Sequence, residues 1–500
     1  MSTIPTNLEQ QHKLAKDLLH AARDNDPAAI ARLQAVRPDA ATDTRPLKLA
    51  DAQLAIAREA AFDSWPKLVA DLQQRDVRAF TDAVRAGDVA RTRQLLAVEH
   101  VKARVNDPLF DFGGRATHAA AKNEPLLTAL IDAGADLGLT SDWNMGPYTV
   151  LDLATEETAR FLLAKGATLT PNVAARLGWF DQLRAMIDAD PALVHARGGD
   201  GQQPLHEAAT VAIVDLLLDR GAGIDVRCID HKSTPVQYAL ADRPEIARRL
   251  LERGATPDIF MAARLGDAAL ATRLIDADPT CLAARINEPG YALVPPFNVY
   301  CWSLGFGMSP HDVATTFGHQ DVADLVAARS PALVRFVNAL VAADEPAARA
   351  LLDGDPGLMP SLPREAHGHL AQALFHEHFS AADLMLRLGF DPAAGGVDGG
   401  SALHAACWVG NVAMVERLLA MGSIGLESRD PTHQSTPLGW ASFGSVHRCA
   451  RGADYPAVID RLVAAGADIH AVGNGNGMPL LRMANGNPTV QDALRRHGAT

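Results

Sequence analysis

Ser401-Ala-Leu-His-Ala-Ala-Cys-Trp-Val-Gly410 runs on through Val415-Glu-Arg-Leu-Leu419 to Gly422. The spacing describes two short helices placed back to back. A serine suits the N-cap of the first helix, where its oxygen accepts an orphan backbone N–H. The Ala-Ala pair at 405–406 lets a neighbouring helix approach closely. Val415 and Leu418-Leu419 lie one turn apart and form a single apolar stripe. Gly422 follows that stripe by three residues, where a helix end takes up a left-handed residue.

The same grammar recurs along the chain. Leu162-Leu163, Leu217-Leu218, Leu250-Leu251 and Leu462-Val463 are each followed three residues later by Gly-Ala, at Gly166, Gly221, Gly254 and Gly466. First helices open with Ser or Thr and then Pro, as in Thr234-Pro235, Ser309-Pro310 and Thr436-Pro437. Proline fits the first helical position because its missing N–H would have no partner there. A larger module is also duplicated: Ala174-Ala-Arg-Leu-Gly178 returns as Ala262-Ala-Arg-Leu-Gly266, a shift of 262 − 174 = 88 residues. Ile187-Asp-Ala-Asp-Pro191 returns as Ile275-Asp-Ala-Asp-Pro279 with the same shift.

These residues resemble the ankyrin repeat, whose period is about 33 residues and whose signature contains Thr-Pro-Leu-His-x-Ala. The 401–422 segment and Pro204-Leu-His-Glu-Ala-Ala209 carry the resemblance most fully; Thr436-Pro-Leu-Gly439 keeps the start and replaces the histidine. The expected fold is an all-α ankyrin-repeat solenoid of about fifteen stacked helix pairs with short β-hairpin-like loops. The pairs begin near residues 8, 47, 77, 116, 149, 172, 204, 234, 258, 309, 333, 363, 401, 436 and 478. One pair cannot bury its own stripe, so each layer depends on its neighbours. Four segments are expected: divergent helical repeats over 1–100, ankyrin repeats over 101–330, divergent repeats over 331–400, and repeats with a cap over 401–500. Leu49 to Arg58 and Ser64-Trp65-Pro66 look like the segment preceding ankyrin repeats in some bacterial proteins.

Composition bounds the function. The chain has 500 residues and a formal charge of 46 − 59 = −13, which argues against broad nucleic-acid binding. No apolar run is long enough for a membrane span, and the first twenty residues lack a secretory pattern. A cytoplasmic location is expected. Five scattered cysteines fit reduced, inert thiols, and no Cys–His constellation is visible.

Two insertions break the rhythm. Residues 286–308 hold Tyr291, Phe297, Tyr300, Trp302 and Phe306, five of the chain's 26 aromatic residues. Weak alternation over 299–304, followed by Gly305 and Gly307, predicts an extended finger or hairpin. The second insertion falls within 444–455.

Catalytic candidates are weak. The resemblance implies that His118, His206 and His404 tie adjacent loops together. Asp188/Asp190 and Asp276/Asp278 read as turn chemistry before proline. The dense histidine segment 363–380, with His369 and His376 on one helix face, supplies the alternative reading of a metal-dependent regulator or enzyme. No cofactor, metal or catalytic residue is assigned. The resemblance instead implies a non-catalytic scaffold that binds a protein partner, with no nucleic acid or membrane, on its concave groove and loop tips. Carried over position by position, the groove residues are Lys122 and Asn123, Arg176 and Leu177, Thr210, Arg264 and Leu265, Thr316 and Phe317, Trp408 and Val409, and Phe443. Trp440 lies one turn before Phe443. Asp142, Trp143, Asp230, His231 and His433 are further loop candidates.

Overall fold

The computed structural model describes residues 7–36, 46–288, 290–422 and 425–500. Part of the expected amino-terminal segment and Pro289 of the first insertion lie outside these residues. Among the described residues every regular element is a helix. The β-type pairings there are the isolated bridges Phe110–Gly114 and Val472–Pro479. The chain forms two compact units, Met1–Thr256 and Pro257–Thr500. Their boundary falls inside the segment expected to run from 101 to 330.

The first unit opens with Leu8–Arg23, Pro27–Gln34 and Leu49–Glu59. The separate pairs expected near 47 and 77 are joined, because Trp65–Arg85 is one helix of 21 residues. No glycine or proline interrupts the chain between Pro66 and Gly87. Leu68, Leu72, Val77, Phe80 and Val84 keep one face buried throughout. The helix packs against Leu49–Glu59 on one side and Val89–Leu96 on the other. Five helix pairs follow, ending with Pro235–Ala239 and Pro244–Glu252. In the shorter pairs the first helix shrinks to Val150–Leu153 and to Pro204–Glu207.

Among the described residues seven pairs make up the second unit, from Ile259–Leu265 with Ala268–Ala277 to Leu480–Met483 with Pro488–Arg496. One apolar core runs from Phe336 to Leu494. The divergent segment 331–400 is therefore continuous with the repeats that follow it.

The local causes are those of the sequence pattern. Ser309 and Asp312 form a capping box: the Ser309 amide donates to Asp312 at 2.9 Å, and the Asp312 amide donates to Ser309 Oγ at 3.2 Å. Helix ends close identically at four Gly-Ala sites. Ala167, Ala222, Ala255 and Ala467 donate to the carbonyls of Leu162, Leu217, Leu250 and Leu462 at 2.9–3.0 Å. The preceding glycines have φ between 90° and 103°, a region side chains avoid. The Ala174-Ala175, Ala262-Ala263 and Ala405-Ala406 pairs are buried in the seams between layers.

The first insertion departs from expectation. Its ends pair, with the Ile286 amide on the Met308 carbonyl at 3.1 Å and the Gly307 amide on the Ile286 carbonyl at 2.9 Å. Between them Tyr300–Ser303 is a helical turn rather than an extended finger. Two tyrosines hold it down: the Tyr300 hydroxyl donates to Asp258 at 3.1 Å, and both Tyr291 and Tyr300 pack edge-on against Phe260. The second insertion lengthens a first helix to Pro437–His447. Gly444 permits this, since a Cβ there would lie 2.5 Å from the Trp408 carbonyl oxygen.

Candidate functional site: an aromatic face on the second unit

Three consecutive first helices, His369–Phe375, Ala402–Trp408 and Pro437–His447, pack side by side. Phe375 and Trp408 end the first two, and Phe443 lies near the end of the third. The Phe375 and Trp408 rings are parallel within 3°, with centroids 5.8 Å apart. Phe443 lies 6.2 Å from Trp408, and His447 lies 3.9 Å from Phe443. Trp440 stands edge-on to Trp408 at 6.0 Å and to Phe375 at 6.4 Å. In the other direction Phe375 meets His376, His376 meets Phe306 at 5.2 Å, and Phe306 meets Trp302 at 5.9 Å. Ring contact is thus unbroken from Trp302 to His447. Trp302 is 59% exposed and Phe443 39%.

A cavity of about 170 Å³ opens among these rings. Phe375, Trp408, Trp440, Phe443 and Met483 supply its apolar walls, and Asp398 and His433 its polar rim. Trp440 is fixed by its indole N–H, which donates to Asp430 at 2.9 Å. Burial raises the Asp430 carboxyl, but the His433 amide, the Trp440 indole and the Ser435 amide outweigh it and hold the group below the ordinary carboxylate range. His433 Nε2 donates to one oxygen of Asp398 at 3.2 Å. Burial, reinforced by His378 and Arg448, pushes His376 down to about 4, so its ring is neutral at neutral pH.

The other candidates scatter. The Arg264 guanidinium sits 4.1 Å over the Phe317 ring, joining two predicted residues. Lys122 is exposed, but Asn123 caps a helix by accepting the Leu126 amide at 3.1 Å. Arg176 donates to the Leu151 and Ala154 carbonyls at 2.8 and 2.9 Å, so it closes the end of a neighbouring helix. Val409, expected to face the groove, is instead buried, because it caps the helix Ala402–Trp408 from within the seam. Sequence reading missed Phe375, although it stands one repeat before Trp408 (408 − 375 = 33). Phe306 and His376 were singled out only within the aromatic insertion and the histidine segment, and His447 and Asp398 fall at no repeat position.

His369 and His376 line one opening with Gln372 and Ala373, as one helix face requires; the helix itself ends at Phe375, with His376 as its cap and His378 before the next helix. His369 Nδ1 lies 3.3 Å from Glu288, and His367 accepts the Asp391 amide at 3.1 Å. Among the described residues the set of metal-ligating side chains that converges is elsewhere, in the first unit: Asp200, Asp230 and His231. There Asp200 already accepts the Trp143 indole at 3.1 Å. Cys228, expected to be an inert thiol, lies beside this set and hydrogen-bonds to His231 and Tyr238. Burial raises its thiol, yet hydrogen bonds with His231, Tyr238 and backbone amides bring it below the ordinary value.

The loop histidines act as straps. The Nδ1 atoms of His118, His206 and His404 accept amides at the start of their own helices, from Arg115, Gln203 and Ser401. Each Nε2 donates to a carbonyl of the following loop, Tyr148 at 2.9 Å, Ser233 at 3.2 Å and Ser435 at 3.1 Å.

Stacked helix pairs, glycine-closed ends and strapping histidines define an all-helical repeat protein. A family model described as ankyrin repeat matches residues 200–230 and 398–430, and the chain carries ankyrin repeats. No curated protein matches it. Among solved structures, the ankyrin repeat domain of Bcl-3, described as a unique member of the IkappaB protein family, is 22% identical. That match covers 48% of this chain and 99% of that chain, with a TM-score of 0.28. The human ASB11 ankyrin repeat domain is 17% identical over 67% of this chain and 99% of that chain, with a TM-score of 0.19.

Proposed function

We propose that this chain is a non-catalytic scaffold whose second unit binds a protein partner on the aromatic face from Trp302 to His447. Ankyrin repeats generally mediate protein–protein interaction. The observation that carries the reading is the unbroken ring contact with exposed rings at Trp302 and Phe443. Aromatic side chains give large contact area at low entropic cost and dominate interface energetics. Trp408 and Trp440 form the inner wall, Phe443 the accessible edge. Lys122 on the first unit is a separate contact point. The charge of −13 steers association toward partners with a basic surface. We assign the chain to the cytoplasm, where free thiols stay reduced; among the described residues no helix is long and apolar enough to cross a membrane.

The test is partner recovery by affinity capture from the native host with the Trp302→Ala/Phe443→Ala double variant. Both rings are exposed, so folding is retained. Loss of a partner held by the unaltered chain is the expected result; undiminished recovery rejects the face as the binding surface.

A further inference from the structure

Resting on that reading, we propose that the cavity walled by Phe375, Trp408, Trp440 and Phe443 takes a methylated ammonium group, carried on a lysine side chain of the bound partner.

Four aromatic rings meet around one opening of about 170 Å³. The face of an aromatic ring is the negative side of its quadrupole, and a cation set among several such faces is attracted to each. The charge at the rim has the matching sign. Asp398 is the formally charged side chain lining the cavity, and no lysine or arginine lines it among the described residues. The Asp398 carboxylate is held in place by a left-handed loop conformation, φ 52°, and by the His433 bond to Oδ2. Among the described residues its Oδ1 makes no hydrogen bond and is left to face a positive charge.

Size and wall chemistry narrow the class. A cavity of about 150 Å³ accommodates a benzene-sized group, and a trimethylammonium head is of that order. Pockets for whole cofactors and drug-sized ligands are larger, about 300–1,000 Å³. An unmethylated ammonium carries three N–H donors, and an arginine five. Buried here, most would lack an acceptor. Most polar atoms nearby are already committed: the Trp440 indole to Asp430, Ser435 Oγ to the Gly473 carbonyl, and Asn474 Oδ1 to the Asn476 and Met478 amides. That leaves Asp398 Oδ1 as an acceptor, while the Trp408 indole N–H, buried without a partner among the described residues, can only donate. A permethylated ammonium keeps the charge, sheds the donors, and presents methyl groups to the rings. The opening lies on the aromatic face itself, so a lysine stem lying along that face leads its head into the cavity.

The test titrates the full chain with four probes and follows tryptophan fluorescence and calorimetry: Nα-acetyl-trimethyllysine amide, Nα-acetyl-lysine amide, choline, and 3,3-dimethylbutanol, the uncharged carbon counterpart of choline. Saturable binding of the trimethyllysine probe is expected, with unmethylated lysine at least about tenfold weaker. Choline is expected to bind at least about tenfold more tightly than dimethylbutanol but more weakly than the trimethyllysine probe. Asp398→Asn keeps the loop conformation and the His433 acceptor while removing the charge, and should weaken trimethyllysine binding about fivefold. Phe443→Ala should weaken it further, with an unchanged circular dichroism spectrum. Equal affinity for choline and dimethylbutanol overturns the proposal, as does an unchanged Asp398→Asn variant. Choline binding as tightly as trimethyllysine overturns the assignment to a partner's lysine. Failure here with partner loss in Trp302→Ala/Phe443→Ala leaves the scaffold reading standing. Trimethyllysine binding with undiminished partner recovery sinks that reading and keeps the pocket.

Discussion

Acid should loosen the first unit through His206, and the size of the effect follows from its two bonds. Nδ1 accepts the Gln203 amide at 3.0 Å, which places the proton on Nε2, and Nε2 donates to the Ser233 carbonyl at 3.2 Å. The ring works only when neutral. Burial pushes its pKa from 6.5 down to about 4, with the Arg197 charge adding to the shift. The unfolded imidazole binds a proton near pH 6.5, while the folded one stays neutral down to about 4. Between those values the unfolded state carries more protons, so stability rises with pH there and is lost on acidification. The slope is about 1.4 kcal/mol per pH unit, or about 3 kcal/mol across the window. His206→Gln removes the titration. At pH 7.5 the variant should be about 1–3 kcal/mol less stable, because buried partners lose their hydrogen bonds. By pH 5 the unaltered chain has lost about 2 kcal/mol of the histidine's contribution, so the gap should close or reverse. Urea melts of both full-length chains at pH 7.5, 6.5, 5.5 and 5.0, followed by circular dichroism, measure the gap directly. A difference that stays constant over that range refutes the neutral-strap account.

Two further outcomes can be checked on the same protein. Asp430→Ala strips the acceptor from the Trp440 indole and from the Ser435 and His433 amides, and should cost at least about 3 kcal/mol in urea melts. Because the Asp430 carboxyl sits below its ordinary value, its contribution is fully present above about pH 4 and should disappear only as pH falls through the folded-state value. A thiol reagent on the native chain should modify Cys449 quickly and Cys228, Cys281, Cys301 and Cys407 slowly, since Cys449 is exposed and the other four are buried; rapid modification of Cys228 would show that the loop over it opens freely.

Repeat architecture was readable because it rests on backbone rules. A glycine after an apolar pair and a proline after a threonine state where a helix ends and begins, whatever surrounds them. Where neither residue occurs, over 67–86, two expected pairs turn out to share one helix. The site was legible in part for a similar reason. Trp408, Trp440 and Phe443 lie on adjacent first helices at near-repeat spacing, so their meeting could be anticipated. Phe306 and His447 come from insertions that obey no period, and Asp398 from a loop tip whose aim depends on one positive φ. Val409 shows the converse limit: a position one residue past a half-buried groove ring can turn into the seam. The 299–304 alternation misled because the tyrosine anchors onto Phe260 and Asp258, not strand pairing, decide that loop.

The aromatic face is surplus to what the stack needs. Layers close on alanine: Ala174-Ala175, Ala262-Ala263 and Ala405-Ala406 fill their seams almost completely. Counted back two residues from the left-handed glycine that closes each first helix, Gly178, Gly266 and Gly410, the equivalent positions are Arg176, Arg264 and Trp408. Packing therefore does not call for a large ring at this place, and the fold tolerates an arginine there. Yet in the second unit Phe375, Trp408 and Phe443 occupy it in three layers running, and they touch. Both insertions then end on the same row of rings, the first through Phe306 and Trp302, the second through His447. Extra chain that served only to connect helices would have no reason to extend one row at both ends. Leaving the open parts of Trp302 and Phe443, 59% and 39% of each residue, in water forgoes on the order of 1 kcal/mol for each ring that burial would supply. On the proposed reading a partner covers that apolar area, which is backed by buried hydrogen bonds such as Trp440 to Asp430.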